Sequence, residues 1–236
     1  MSDKVSEIIK NALSENRINL LEPEAKSICI QYGLPTPEFD VASNPTEAEE
    51  FANKIGYPVV LKIVSPDILH KTDAGGVAVG LKSDNEVRKE FEEILRRVRS
   101  YKEDAEIKGV LIQKMAPAST EVIVGGLKDP QFGQTLMFGL GGIFVEVLKD
   151  VTFRIAPISK KDANEMIKEI KAYPILKGYR GQPPADENAI SEILVNTSKL
   201  MIDRPEINQM DLNPIMVYDK GASVVDARII LEIIKS

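Results

Sequence analysis

Cysteine and net basic charge are both scarce in this chain of 236 residues, and each scarcity removes a class of function. One cysteine, Cys29, excludes an intramolecular disulfide and a cysteine-based zinc cluster, and it points to a reducing, cytoplasmic setting. The formal net charge is −6, and no basic stripe with interleaved aromatics is present. Both facts argue against nucleic acid or an anionic membrane as the main partner. The longest uncharged stretch, Pro130–Val145, is broken by four glycines and is too short to span a bilayer. The first amphipathic pattern begins at once, with no secretory signal ahead of it. There is no internal repeat, no low-complexity tract and no Gly-x-Gly-x-x-Gly fingerprint. What remains is 43% apolar and 28% charged, the composition of a soluble globular protein with one large domain or two modest lobes.

Periodicity predicts helices over 3–14 and 22–32, the second stopping at Gly33 before Pro35 and Pro37. A β/α alternation follows: strand 38–41, helix 45–55, strand 58–64, a glycine-containing loop 65–75, strand 76–82, helix 84–100 and strand 109–115. The second half predicts strands at 120–127, 134–138, 143–148 and 151–156, helices at 160–170 and 186–203, and a C-terminal hairpin. The whole reads as an α/β (α+β) chain, with a small lobe over 38–112 set inside a larger sheet-based lobe formed by 1–37 and 113–236.

The hairpin carries the most chemical information. In Ile207–Pro214, residues two apart share a face, so Gln209, Asp211 and Asn213 point one way while Met210 and Leu212 point the other. Asp219–Gly221 supplies a turn, and the returning strand brings Asp226 to within a residue or two of the position opposite Asn213. Oxygen donors gathered on one face suit a hard cation such as Mg²⁺ together with a nucleotide phosphate. Asn-Pro turn initiation and a capping Asp226 form the plainer alternative.

Lys62 stands inside an apolar strand, Pro58–Val64, either to meet an anion or to snorkel from a strand end; the hairpin favours phosphate. His70 lies in a loop that follows this strand and ends in Gly75–Gly76. A lone loop histidine is ordinarily a surface residue, yet a mobile loop and a neutral imidazole also suit a phosphoryl acceptor. Gly139–Gly142 lacks the lysine of a phosphate loop and reads as a tight turn between strands. Glu146 and Asp150 read equally as turn charges or cation contacts, and Ile112–Met115 as a strand crossing between lobes.

These residues resemble an ATP-grasp nucleotide-binding module. Closer still is the nucleotide-binding (β) subunit of ADP-forming acyl-CoA synthetases, in the succinyl-CoA synthetase superfamily. The likeness is carried by Leu20–Lys26, Tyr32–Pro37, His70–Val77, Phe144–Pro157, Leu176–Gly181 and the Asp211-Leu-Asn213-Pro214 … Asp226 hairpin. The resemblance implies a nucleotide held between the two lobes and the reaction acyl-CoA + ADP + phosphate ⇌ carboxylic acid + CoA + ATP. It implies that Lys62 binds phosphates, Gln113, Lys114 and Met115 line the adenine pocket, and Glu121 lies near the ribose. Asn213 and Asp226 would hold Mg²⁺, Asp211 would meet a phosphohistidine, and His70 would carry the phosphoryl group on a swinging loop. A CoA-binding α subunit is the implied partner, in an α₂β₂ heterotetramer, and the acyl group is selected in that partner. Two other classes compete: a free-standing ATP-grasp ligase or kinase, and a non-catalytic ATP sensor. A missing substrate domain weighs against the first, and the joint presence of Lys62, Asp211, Asn213 and Asp226 against the second.

Overall fold

The computed structural model describes residues 3–142, 145, 147–178, 181 and 183–232. They form two compact units: one takes in the described residues up to 20, 24–36 and those from 117 onward, the other 21–23 and 37–116.

The smaller unit is a four-stranded antiparallel sheet in the order β1-β4-β2-β3, built from β1 (Phe39–Ala42), β2 (Val59–Val64), β3 (Val77–Leu81) and β4 (Gly109–Lys114). Helices α3 (Pro45–Ile55) and α4 (Asp84–Tyr101) are placed by their caps. Asn44 accepts from the Glu47 amide and Ser83 from the Glu86 amide, satisfying donors the helices leave free. α3 ends on Gly56 at φ +85°, a conformation that favours glycine. Every residue of β2 is buried. Val59, Leu61 and Ile63 join the cluster that takes in Ala48, Ala52, Phe91 and Ile94 from the two helices. The alternation leaves Lys62 on the other face, between Val77 and Leu111 of the flanking strands.

The larger unit holds a six-stranded antiparallel sheet in the order β10-β8-β5-β6-β7, with β9 also on β8. Its strands are β5 (Thr120–Asp129), β6 (Gly133–Leu140), β7 (Val151–Ile155), β8 (Ile207–Val217), β9 (Ala222–Val224) and β10 (Ala227–Leu231). Helices α1 (Lys4–Ser14), α2 (Glu22–Gln31), α5 (Lys160–Glu169), α6 (Tyr173–Leu176) and α7 (Glu187–Asp203) complete the chain order. One face of the sheet, through Val122, Val124, Phe138, Met210 and Leu212, shares a core with residues of these helices.

Element types follow the sequence reading, with three differences. β6 runs on through Gly139 and Leu140, so those residues are strand rather than tight turn; Gly139 pairs with Ile123 and Val151. The strand expected at 143–148 is not formed by Val147 and Leu148, which lie in a turn, while 143, 144 and 146 fall outside the described residues. The short α6 was not foreseen. Among the described residues no helix is long and apolar enough to cross a membrane.

Candidate functional site

In the larger unit, β8 alternates as its sequence requires. Met210 and Leu212 are buried, Gln209 and Asn213 are exposed, and Asp211 is partly covered. The return strand sets Ala227 against Leu212 and Arg228 against Asp211. One step along, the Asn213 amide donates to the Asp226 carbonyl at 3.2 Å, so these two residues face each other across the hairpin. The turn closes where Tyr218 N–H donates to the Gly221 carbonyl, with Gly221 at φ +81°. Asp186 accepts from the Gly221 amide at 2.8 Å and also caps α7. Lys26 is fully buried and its ammonium donates to the Val225 carbonyl at 2.8 Å, fixing the backbone immediately before Asp226.

Electrostatics mark this face. Burial raises the Asp211 carboxyl above its ordinary value; the neighbouring Asp226 charge raises it further, and Arg228 opposes both. Beside Asp211, on β5, stands Gly125. A Cβ there would come within 3.2 Å of Met137 Cε, so glycine keeps this floor low. Gly125, Met137, Phe153, Gln209, Asp211 and Asn213 help line a cavity of about 390 Å³.

The donor set fits a hard cation: it is oxygen-only, and the mutual repulsion of Asp211 and Asp226 is what a cation would relieve. Among the described residues no cluster of three or more His, Cys, Asp or Glu could hold a metal. A cation here would therefore need further oxygens, such as those of a phosphate.

In the smaller unit, Lys62 is buried and its ammonium lies 2.6 Å from Oε1 of Glu22. Oε2 of the same carboxylate is 3.0 Å from the Lys71 ammonium. His70 is exposed, on a loop whose shoulders are pinned. Ile68 and Ala74 are buried. Asp67 accepts from the Lys102 ammonium and the Glu106 amide, which hold its carboxyl below the usual range. Arg97 donates to the Gly75 carbonyl. The loop thus has tied shoulders and an exposed tip. Gly76 has a steric rather than a conformational reason: a Cβ there would meet Ile63 Cγ2 at 2.5 Å.

Gln113 is fully buried in β4, while Met115 lies just beyond the strand. The Lys114 amide donates to the Glu38 carbonyl and the Met115 amide to the Pro58 carbonyl. The Lys114 ammonium holds the Gly56 and Tyr57 carbonyls at 2.7 and 3.0 Å. Its side chain therefore anchors the α3–β2 turn. Glu121, in the larger unit, is exposed at the start of β5, and its carbonyl accepts from the Gly141 amide. Asp150 settles to a structural role: it is buried and accepts from the Lys171 and Ala172 amides. Glu146 lies outside the described residues.

Sequence reasoning did not single out Glu22, Lys26, Lys71, Arg228 or Gly125. Arg228 was findable, since hairpin register alone puts it opposite Asp211. Glu22 was not, because it lies 40 residues from Lys62 with no shared pattern.

A family model described as an ATP-grasp domain matches residues 11–231. The β subunit of acetate–CoA ligase (ADP-forming) I of Pyrococcus furiosus is 56% identical over 228 residues, covering 97% of this chain and 98% of that one. Acetyl-coenzyme A synthetase 1 of Ca. Korarchaeum cryptofilum, solved with coenzyme A, Ca-AMPCP and HgCl⁺, superposes with a TM-score of 0.94 at 50% identity, covering 96% of this chain and 99% of that one. The same synthetase with coenzyme A and Mg-AMPPCP, its phosphohistidine segment pointing towards the nucleotide binding site, gives a TM-score of 0.87 at 46% identity, with coverages of 97% and 100%. With its antiparallel sheets, its carboxylate hairpin and a relative matched almost end to end, the chain belongs to the ATP-grasp family, among the β subunits of ADP-forming acetate–CoA ligases.

Proposed function

We propose that this chain is the nucleotide-binding β subunit of an ADP-forming acyl-CoA synthetase, a ligase that works with a CoA-binding α subunit in an α₂β₂ assembly in the cytoplasm. The observation that carries this reading is the facing pair Asn213 and Asp226, with Asp211 beside it, in a chain matched along its length by such a β subunit.

Each residue has a role that its chemistry suits. Lys62 holds the nucleotide phosphates, and the Gln113–Met115 stretch meets the adenine. With the Lys114 and Met115 amides already donating to the Glu38 and Pro58 carbonyls, that stretch recognises adenine through its carbonyl oxygens. Glu121 lies at the ribose. Asn213 and Asp226 hold Mg²⁺, which, when bound, offsets charge on the phosphate oxygens and fixes their geometry. Asp211 orients the partner's imidazole and stabilises its charged form.

His70 relays the phosphoryl group. One imidazole nitrogen attacks the phosphorus of the partner's phosphohistidine, and the P–N bond to the partner breaks as the bond to His70 forms. A β-phosphate oxygen of ADP then attacks the same phosphorus, the His70 bond breaks, and ATP leaves with the imidazole restored. Each phosphorylated imidazole carries a proton on the ring nitrogen that does not bear phosphorus, so it departs as a neutral imidazole, and no oxidant is required.

The test is His70→Ala in the reconstituted α/β complex. Calorimetry should show Mg·ADP binding unchanged, while acyl-CoA-dependent ATP formation falls by about 10³-fold or more, the loss expected when a covalent relay is removed. Turnover at the wild-type rate would eliminate the relay.

A further inference from the structure

The Glu22 carboxylate is the least exposed charged group in a cluster that the nucleotide reading leaves unexplained. Its side chain is 2% exposed, with Lys62 on one oxygen and Lys71 on the other. One carboxylate bridges two ammoniums, in a place where burying a lysine without an anion would be costly. A phosphate group carries more negative charge than a carboxylate and offers more acceptor oxygens, so it competes for the same ammoniums.

Lys71 also directly follows His70. Its carbonyl accepts from the Gly76 amide at 2.7 Å, closing the loop on itself, while its ammonium holds Glu22. The shoulders of the loop are fixed by Asp67, Ile68, Ala74 and Arg97. Among these ties the Lys71–Glu22 pair is the one next to the exposed tip, and it is the one an incoming anion would weaken.

We propose that Glu22 is a placeholder anion. It is a positioning residue that keeps Lys62 in its phosphate-binding place before nucleotide arrives, and it ties the His70 loop down through Lys71. When phosphate takes over the lysines the tie is released and the tip is free to move. Lys62 is never left buried without an anion, and loop release is coupled to nucleotide arrival. The inference rests on the roles given above to Lys62 and His70.

Hydrogen exchange across residues 65–76, with Mg·ADP calorimetry alongside, tests it in wild type, Glu22→Gln and Lys71→Met. In wild type, Mg·ADP should accelerate exchange of the Ala74, Gly75 and Gly76 amides. Both variants should exchange there faster by roughly tenfold without nucleotide, the change expected when one local tie is lost. Glu22→Gln should also bind Mg·ADP several-fold more tightly, because the competitor's charge is gone. Lys71→Met, which leaves the Lys62–Glu22 pair in place, keeps the tether testable if Glu22→Gln fails to fold. Unchanged loop exchange in the variants overturns the tether, and weakened Mg·ADP binding in Glu22→Gln overturns the placeholder. Should wild type bind no Mg·ADP at all, the nucleotide reading itself fails, while the exchange comparison still decides whether Lys71 and Glu22 hold the loop.

Discussion

The two units handle charge in opposite ways. The smaller one buries a lysine in the middle of an apolar strand and answers it internally, with Glu22 at 2.6 Å and a second lysine on the other oxygen. The larger one sets Asp211 near Asp226 on a sheet face, where burial and the Asp226 charge make the Asp211 carboxyl harder to ionise and Arg228 offsets only part of this. One cluster sets opposite charges side by side; the other holds like charges close together.

That contrast can be broken most forcefully at Lys62. Lys62→Met removes the closer cation from a buried carboxylate and should cost about 3 kcal/mol in urea unfolding, the low end for breaking a buried pair because Lys71 remains. Stability equal to wild type would mean the cluster is not internally balanced. Gly76→Ala sharpens the same side by sterics alone. A Cβ 2.5 Å from Ile63 Cγ2 forces the loop base off the strand, at about 2 kcal/mol by the same assay.

On the carboxylate side, Asp186→Ala withdraws the acceptor from both the α7 amide of Ala189 and the hairpin turn at Gly221. About 1 kcal/mol should be lost, as for other helix caps. The Asp186 carboxyl sits below its ordinary value because those amides donate to it. Its contribution is thus present above the unfolded value of 3.8 and disappears as pH falls through the lowered folded value. The smallest effect has the opposite sign. Asp211 is raised on folding, so the folded state holds its proton more tightly, and stability declines as pH rises from 3.8 through the raised value. Asp211→Asn should therefore melt slightly higher than wild type at neutral pH, and the gain should vanish on acidification below 3.8. A lower melting temperature at neutral pH would show that Asp211 is not under the strain described.

The carboxylate side was legible in the sequence because everything it needs is local. A period of two puts Asp211 and Asn213 on one face, and a short turn brings Asp226 opposite Asn213; the observed register follows both. Asp150 shows the limit of such reading, since nothing in its neighbourhood foretold that the Lys171 and Ala172 amides would occupy it. The loop at 65–76 shows another. Its sequence did not foretell that Gly76 packs closely against Ile63, nor that distant Lys102, Arg97 and Glu22 contact the loop.

The sequence by itself determined the alternation of helix and strand, the hairpin with its oxygen donors, the oddity of a lysine in an apolar strand, and the family resemblance. Those properties depend on neighbours a few residues apart, where periodicity and turn chemistry govern. Only the tertiary structure decided that Lys62 meets Glu22, that Lys71 shares that carboxylate, and that Lys26 braces the carbonyl before Asp226. The physical reason is that pairing a buried charge depends on which side chains packing brings within hydrogen-bond reach. Packing joins residues that chain distance separates.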